Sequence, residues 1–294
     1  MTPVEWAMLA ILGLVWGGSF FFAKIAVAEI HPLTLVLLRV AIAAAALHVW
    51  LIAHGPSFRL ALPYAAAFLL LALLNNVIPF SLIFAGQTVL GAGLASVLNA
   101  TTPFWTALVA NVATRDEKLT WYKLAGIGLG IAGTAVMIGP DLADAAGGPA
   151  WAKFALIGSS MSYALALMVA RRLSAVPPPV VATAQLTFST LVMIPVVLFV
   201  NGPDGMFEAS APVWAAVLGL ALVSTAFAYL LYFSIVRSAG ATNASLVTLI
   251  VPVSAILLGV AVLGERLQAY ELAGMAVIGL GLVVIDGRIF RRRS

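Results

Sequence analysis

Cysteine is absent from this chain of 294 residues. Without thiols there is no disulfide and no thiolate metal site, and redox chemistry assigns no compartment. Charge is scarce as well. Asp, Glu, Lys and Arg make up 9% of the residues, where a soluble domain uses roughly a quarter. So few charges cannot cover a water-facing surface, so lipid must solvate much of the exterior. There are three histidines, His31, His48 and His54, and they form no H-E-x-x-H pair. No G-x-S-x-G elbow is present. No Asp or Glu stands in the middle of an apolar run. These gaps argue against a membrane-embedded enzyme, a resident cofactor and a carboxylate proton relay, and they leave facilitated diffusion open. The short connections offer little surface to a scaffold's partners.

Hydrophobic residues, in contrast, make up 63% of the chain. Charges, Pro and Gly divide them into ten runs: Trp6–Ala28, Pro32–His54, Leu60–Phe84, Val89–Ala113, Trp121–Ile138, Trp151–Arg171, Pro178–Val200, Val213–Val236, Ala241–Leu263 and Tyr270–Ile285. Each is long enough to cross a hydrocarbon core about 30 Å thick as a helix. The first run has no basic flank before it and is expected to be a retained helix, not a cleaved signal. Only Gly139–Pro149 and Asn201–Ser210 are long connections, and both are acidic.

The net charge of +4 does not mark a nucleic-acid binder, because the cations are scattered at run ends. With the N-terminus in the cytoplasm, the inner side holds Arg59, Arg115, Lys118, Lys123, Arg171, Arg172, Arg237, Arg288, Arg291, Arg292 and Arg293. The outer side holds Lys24, Lys153 and Arg266. This is a strong positive-inside bias, and it predicts an even number of spans with both termini inside.

The two halves resemble each other. Glu117–Gly126 (EKLTWYKLAG) matches Glu265–Gly274 (ERLQAYELAG), and Gly91–Pro103 matches Gly240–Pro252. Asn75–Asn76 stands opposite Ser224–Thr225, Phe80 opposite Tyr229, Phe84 opposite Phe233, Trp16 opposite Tyr163 and Lys24 opposite Arg171. Five spans is an odd number, so the second half must enter the membrane from the opposite side, as inverted-repeat transporters do.

Ser96, Pro103, the Glu117–Gly126 segment, its ERL-x₃-ELAG counterpart and Arg171-Arg172 after Tyr163 resemble the EamA type of the drug/metabolite transporter superfamily. The resemblance covers essentially the whole chain. It implies an all-α polytopic membrane protein with ten transmembrane helices, arranged as two inverted five-helix repeats around a central cavity. The repeats would span 1–139 and 150–287, with a basic cytoplasmic tail at 288–294. It also implies metabolite export across a bacterial inner membrane. The aromatic-rich helices are similar to those of the YddG amino-acid exporters, which implies export of aromatic and other neutral amino acids. A lipophilic cation is the alternative cargo. The partners expected are a small molecule and the bilayer, with no nucleic acid, and the oligomeric state is left open.

The residues themselves suggest a site. Pro103 and Pro252 occupy matching mid-run positions, where a missing N–H leaves a carbonyl needing another partner. Paired interruptions of this kind point to a transport site or to an ordinary packing kink. Asn75, Asn76, Asn99, Thr101, Thr102, Asn243, Ser245 and Thr248 accompany them, either as a polar lining or as helix-to-helix hydrogen bonds. Trp16, Phe20, Phe80, Phe84, Trp105, Tyr163, Tyr229 and Tyr232 offer an apolar wall and π faces. Trp6, Trp50, Trp121, Trp151 and Trp214 lie at run ends and are assigned to the interface. Asn76, Asn99, Thr102, Thr248, Pro103 and Pro252, with Trp16, Phe20, Phe80, Tyr163 and Tyr229, form the expected cavity set. Arg39, inside the second run, is expected to snorkel outward or to hold backbone carbonyls. Lys24 and His48 are expected near the interface. Gly128–Gly133 fits G-x-G-x-x-G, but it lies in a helical run without a preceding strand, so close helix packing accounts for it better than a nucleotide.

Overall fold

A computed structural model describes residues 1–113, 119–143, 150–202, 208–244 and 246–286. Among these residues the chain is helical, with no strand. The helices are α1 Pro3–Ala26, α2 Pro32–His54, α3 Phe58–Gln87, α4 Ala92–Asn99, α5 Thr102–Ala113, α6 Trp121–Ala143, α7 Ala150–Arg171, α8 Pro178–Val200, α9 Ala211–Ala239, α10 Ala241–Ala244, α11 Val247–Leu263 and α12 Ala269–Asp286. Six of the described helices, α1, α2, α3, α7, α8 and α9, are long and apolar enough to cross a membrane, and α11 and α12 are shorter apolar helices. Many large side chains on them face outward, among them Phe199, Ile52 and Leu257, as lipid contact requires.

Local chemistry sets the helix ends. Thr2 and Glu5 close a capping box on α1. Proline starts α1, α2 and α8, where its missing N–H costs nothing. Both α3 and α9 contain a wide π-helical stretch, at Leu73–Val77 and Gly219–Phe227. Such stretches weaken the regular ladder and often accompany functional sites. Side-chain hydroxyls engage the carbonyls here: Ser162 donates to Leu74 at 2.7 Å and Thr225 to Leu220 at 2.8 Å.

The matching prolines behave differently. Pro103 sits in the first turn of α5, just after the break at Ala100–Thr101. Pro252 lies inside α11, which runs on through it. The expectation of two helices interrupted alike at proline therefore holds only for the first.

Polar contacts gather the turns at one end of the bundle. The Glu29 carboxylate, between α1 and α2, accepts from the Ser210 N–H at 2.7 Å and from its hydroxyl at 2.8 Å. These bonds, the backbone one foremost, hold the Glu29 carboxyl below its ordinary value. Asn201 donates to Thr34 at 2.8 Å. Lys24 donates to the Gln87 carbonyl at 2.8 Å, so it is a helix-to-helix tie and not a simple interface residue. Glu265 receives the Ala92 N–H at 2.6 Å and the Gly93 N–H at 3.1 Å, at the start of α4. Lys153, expected at a run end, is buried, donates to the Met137 carbonyl and lies 4.0 Å from Glu271. His48 also bonds within the bundle, to Thr187 at 3.0 Å. At the opposite end Leu51 and Ala61 pack with Leu173 and Val176.

The glycine-rich runs of α6 and α12 cross with their backbones nearly touching. A Cβ on Gly126 would lie 2.9 Å from the Gly281 carbonyl, and one on Gly133 would lie 2.7 Å from the Gly274 carbonyl. The G-x-G-x-x-G segment is therefore a helix contact. Arg115, Lys118, Arg288, Arg291, Arg292, Arg293, the 288–294 tail, Glu117 and Ser245 lie outside the described residues.

Candidate functional site

A cavity of about 360 Å³ lies between the helices, within the size range of small-molecule sites. Its wall is mostly apolar and aromatic. α1 contributes Trp16, Ser19 and Phe20, and α2 contributes Arg39. Asn75, Phe80, Ile83, Phe84 and Gln87 come from α3, and Ser96 with Asn99 from α4. Thr102 and Pro103 follow the α4–α5 break, Tyr163 faces in from α7, and Thr225, Tyr229 and Tyr232 from α9. Thr248 and Val251 complete it from α11.

Nine of the eleven expected residues meet on this wall: Trp16, Phe20, Phe80, Asn99, Thr102, Pro103, Tyr163, Tyr229 and Thr248. The other two do not. Asn76 is fully buried behind the wall, where its Nδ2 donates to Ser189 at 3.0 Å. One residue along, its neighbour Asn75 faces the cavity and donates to Gln185 at 2.8 Å. Pro252 is half-buried beside the lining residue Val251 and stays off the wall.

The remaining expectations divide similarly. Phe84 and Tyr232 line the cavity, whereas Trp105 and Thr101 face a second, more apolar hollow between α5, α6 and α7. Asn243 makes a local bond to the Ala239 carbonyl at 2.8 Å. Trp6, Trp121 and Trp151 are exposed, while Trp50 and Trp214 are half-buried.

The aromatic wall is ordered by ring contacts. Trp16 and Tyr232 have centroids 5.5 Å apart. Phe80 stacks on Phe84 with centroids at 6.1 Å, and Tyr229 on Phe233 at the same distance. The two stacks occupy the positions paired in the sequence repeat. Amides and hydroxyls join the helices around them. Ser159 donates to Asn99 Oδ1 at 3.0 Å. The Gln87 side-chain amide donates to the Phe20 carbonyl at 2.8 Å, while its buried Oε1 has no partner among the described residues.

Arg39 departs most from expectation. It is only 7% exposed, so it does not snorkel outward. Its guanidinium carbon lies 3.8 Å from the Phe80 ring centroid, a cation–π distance. Its Nε donates to Thr225 Oγ1 at 3.0 Å and not to a backbone carbonyl. Among the described residues Arg39 is the one charged side chain on the wall, and no carboxylate lines it. The signal for it was present in the sequence: Arg39 is an ionisable residue well inside an apolar run. The lining positions Ser19 and Gln87 carried no such signal, and Ser96 stood out only through the family resemblance.

Comparison with known proteins agrees with this architecture. Residues 4–139 and 150–286 each match the EamA-like transporter family. The uncharacterized inner membrane transporter YedA of Escherichia coli K12 is 27% identical over 290 residues, covering 97% of this chain and 91% of its own. An uncharacterized transporter of Archaeoglobus fulgidus is 25% identical, covering 96% and 98%. The uncharacterized transporter YoaV of Bacillus subtilis is 22% identical, covering 97% and 98%. A solved crystal structure superposes with a TM-score of 0.68 over 96% of this chain and 98% of its own; at 18% identity it speaks for the fold alone.

Proposed function

The chain belongs to the EamA-like transporter family, and we propose that it is a ten-span exporter of small metabolites, aromatic and other neutral amino acids foremost, working by alternating access. The carrying observation is the cavity itself: a chamber walled by rings, amides and hydroxyls, with contributions from both halves of the chain. An aromatic wall suits an apolar side chain, and fixed amides suit a polar head. The family and the relatives' names support reading it as a transporter rather than an enzyme. The inner membrane is inferred from the name of the Escherichia coli relative.

In this reading residues 1–139 and 150–287 are inverted repeats. The glycine crossing supports it. The offset of 148 residues that carries Gly126 to Gly274 also carries Gly133 to Gly281. Gly126 meets Gly281 while Gly133 meets Gly274, so exchanging the halves reproduces the contact, as a two-fold axis between antiparallel helices would. The two π-helical stretches lie at corresponding places. The halves would rock about the chamber, with the Ala100–Thr101 break before Pro103 as one hinge. Both termini would face the cytoplasm.

The test is flux in proteoliposomes. Purified protein is expected to move labelled phenylalanine or leucine well above protein-free vesicles. Flux of a lipophilic cation, with none of any neutral amino acid, would overturn the cargo assignment.

A further inference from the structure

We propose that Arg39 is the anchor for a carboxylate, so that the cavity takes substrates carrying one such group and rejects cations that lack it. The inference rests on the transport reading above but narrows its substrate class.

Three observations carry it. First, Arg39 is nearly buried in the wall, yet no Asp or Glu among the described lining residues answers its charge. A buried cation without a counter-ion is costly, and an arriving anion offsets that cost. Second, the guanidinium is held in place with its forked end unused. Phe80 covers one face, and Thr225 takes only the Nε–H. Among the described residues the two terminal amino groups have no hydrogen-bond partner. A planar fork fixed in this way matches the two oxygens of a carboxylate. Third, the charge stands on one side only. Arg39 and Gln185 each lie seven residues after the proline that begins a 23-residue helix. Gln185 is neutral and accepts from Asn75 at 2.8 Å. Gln185 is buried off the wall, so among the described lining residues the charge comes from α2 alone, which would orient an asymmetric substrate with its anion toward α2. A single positive charge matches a carboxylate; a phosphate monoester would call for a second cation.

The experiment uses the full-length protein in detergent and four ligands sharing one ring: phenylalanine, 3-phenylpropionate, phenylalaninamide and phenethylamine, with phenyl phosphate as a fifth. Binding is measured by calorimetry. The two carboxylates are expected to bind about 10- to 100-fold more tightly than the amide and the amine. Arg39→Gln should erase that difference, and Arg39→Lys should keep part of it. If Arg39→Gln does not fold, the ligand series on the parent protein still decides. Equal binding of acids and amines, binding of no carboxylate, or tighter binding of phenyl phosphate than of 3-phenylpropionate overturns the proposal. Binding of 3-phenylpropionate without flux of any neutral amino acid would sink the amino-acid reading and leave the carboxylate anchor standing. Flux of neutral amino acids matched by flux of their amides would do the reverse.

Discussion

Gly133→Leu is expected to abolish recovery of monodisperse protein from membranes, while Gly128→Leu, five residues earlier on the same helix, should be tolerated. The difference lies in what a side chain would meet. At Gly133 even a Cβ would sit 2.7 Å from the Gly274 carbonyl and 2.8 Å from Ile278, so the backbones of α6 and α12 would have to part. At Gly128 there is nothing within 4 Å. In lipid no hydrophobic force draws helices together, so close backbone packing carries much of their association. Overpacking a tight contact costs about 1–3 kcal/mol, occasionally more, and this one forces rigid backbone rather than a flexible side chain. Gly274→Leu should fail alike, because it meets the same contact from the other helix. Size-exclusion profiles of the three variants give the result; equal recovery of all three would contradict the packing account.

Glu265→Ala is expected to loosen the end of the bundle where the turn before α12 meets the start of α4. The carboxylate caps that helix, accepting from the Ala92 and Gly93 amides. Its socket is built from glycines: a Cβ on Gly259 would stand 2.3 Å from the carboxylate, and one on Gly91 2.7 Å away. Alanine leaves two part-buried donors without an acceptor, at about 1–3 kcal/mol each. Glutamine keeps one acceptor but loses the charge that favours a helix N-terminus, worth about 0.3–1 kcal/mol. Thermal unfolding should therefore rank the parent above Glu265→Gln, and Glu265→Ala lowest. A Gln variant as damaging as Ala would show that charge, not the hydrogen bonds, is what matters there.

Glu265 also shows what a sequence can and cannot convey. The ERL-x₃-ELAG segment stood out because it repeats, but the repeat does not say that its Glu reaches across to cap a helix in the other half. That contact is long-range and depends on how the halves pack. The apolar runs were legible because lipid imposes their length and composition directly. The cavity aromatics were legible because they recur at paired positions deep in the runs. Asn75 and Asn76 were not separable, because a single residue's rotation turns one toward the chamber and the other onto Ser189. A π-helical turn sets that rotation, and the sequence did not announce it. Pro103 and Pro252 matched in sequence, yet helix geometry differs around them, because Pro103 stands in the first turn of its helix whereas Pro252 lies more than a turn inside α11. The depth of Arg39 suggested a stem long enough to reach out; Phe80 and Thr225 turn it inward instead.

The central claim is that solute passes through the chamber between the halves. Because the natural sequence has no cysteine, a single one at Thr102, on the cavity wall, can be modified alone. In proteoliposomes Thr102→Cys should react with a water-soluble maleimide and lose its solute flux on labelling, while the cysteine-free parent keeps its flux under the same treatment. A labelled Thr102→Cys protein that transports as fast as the unlabelled one would contradict passage through this chamber.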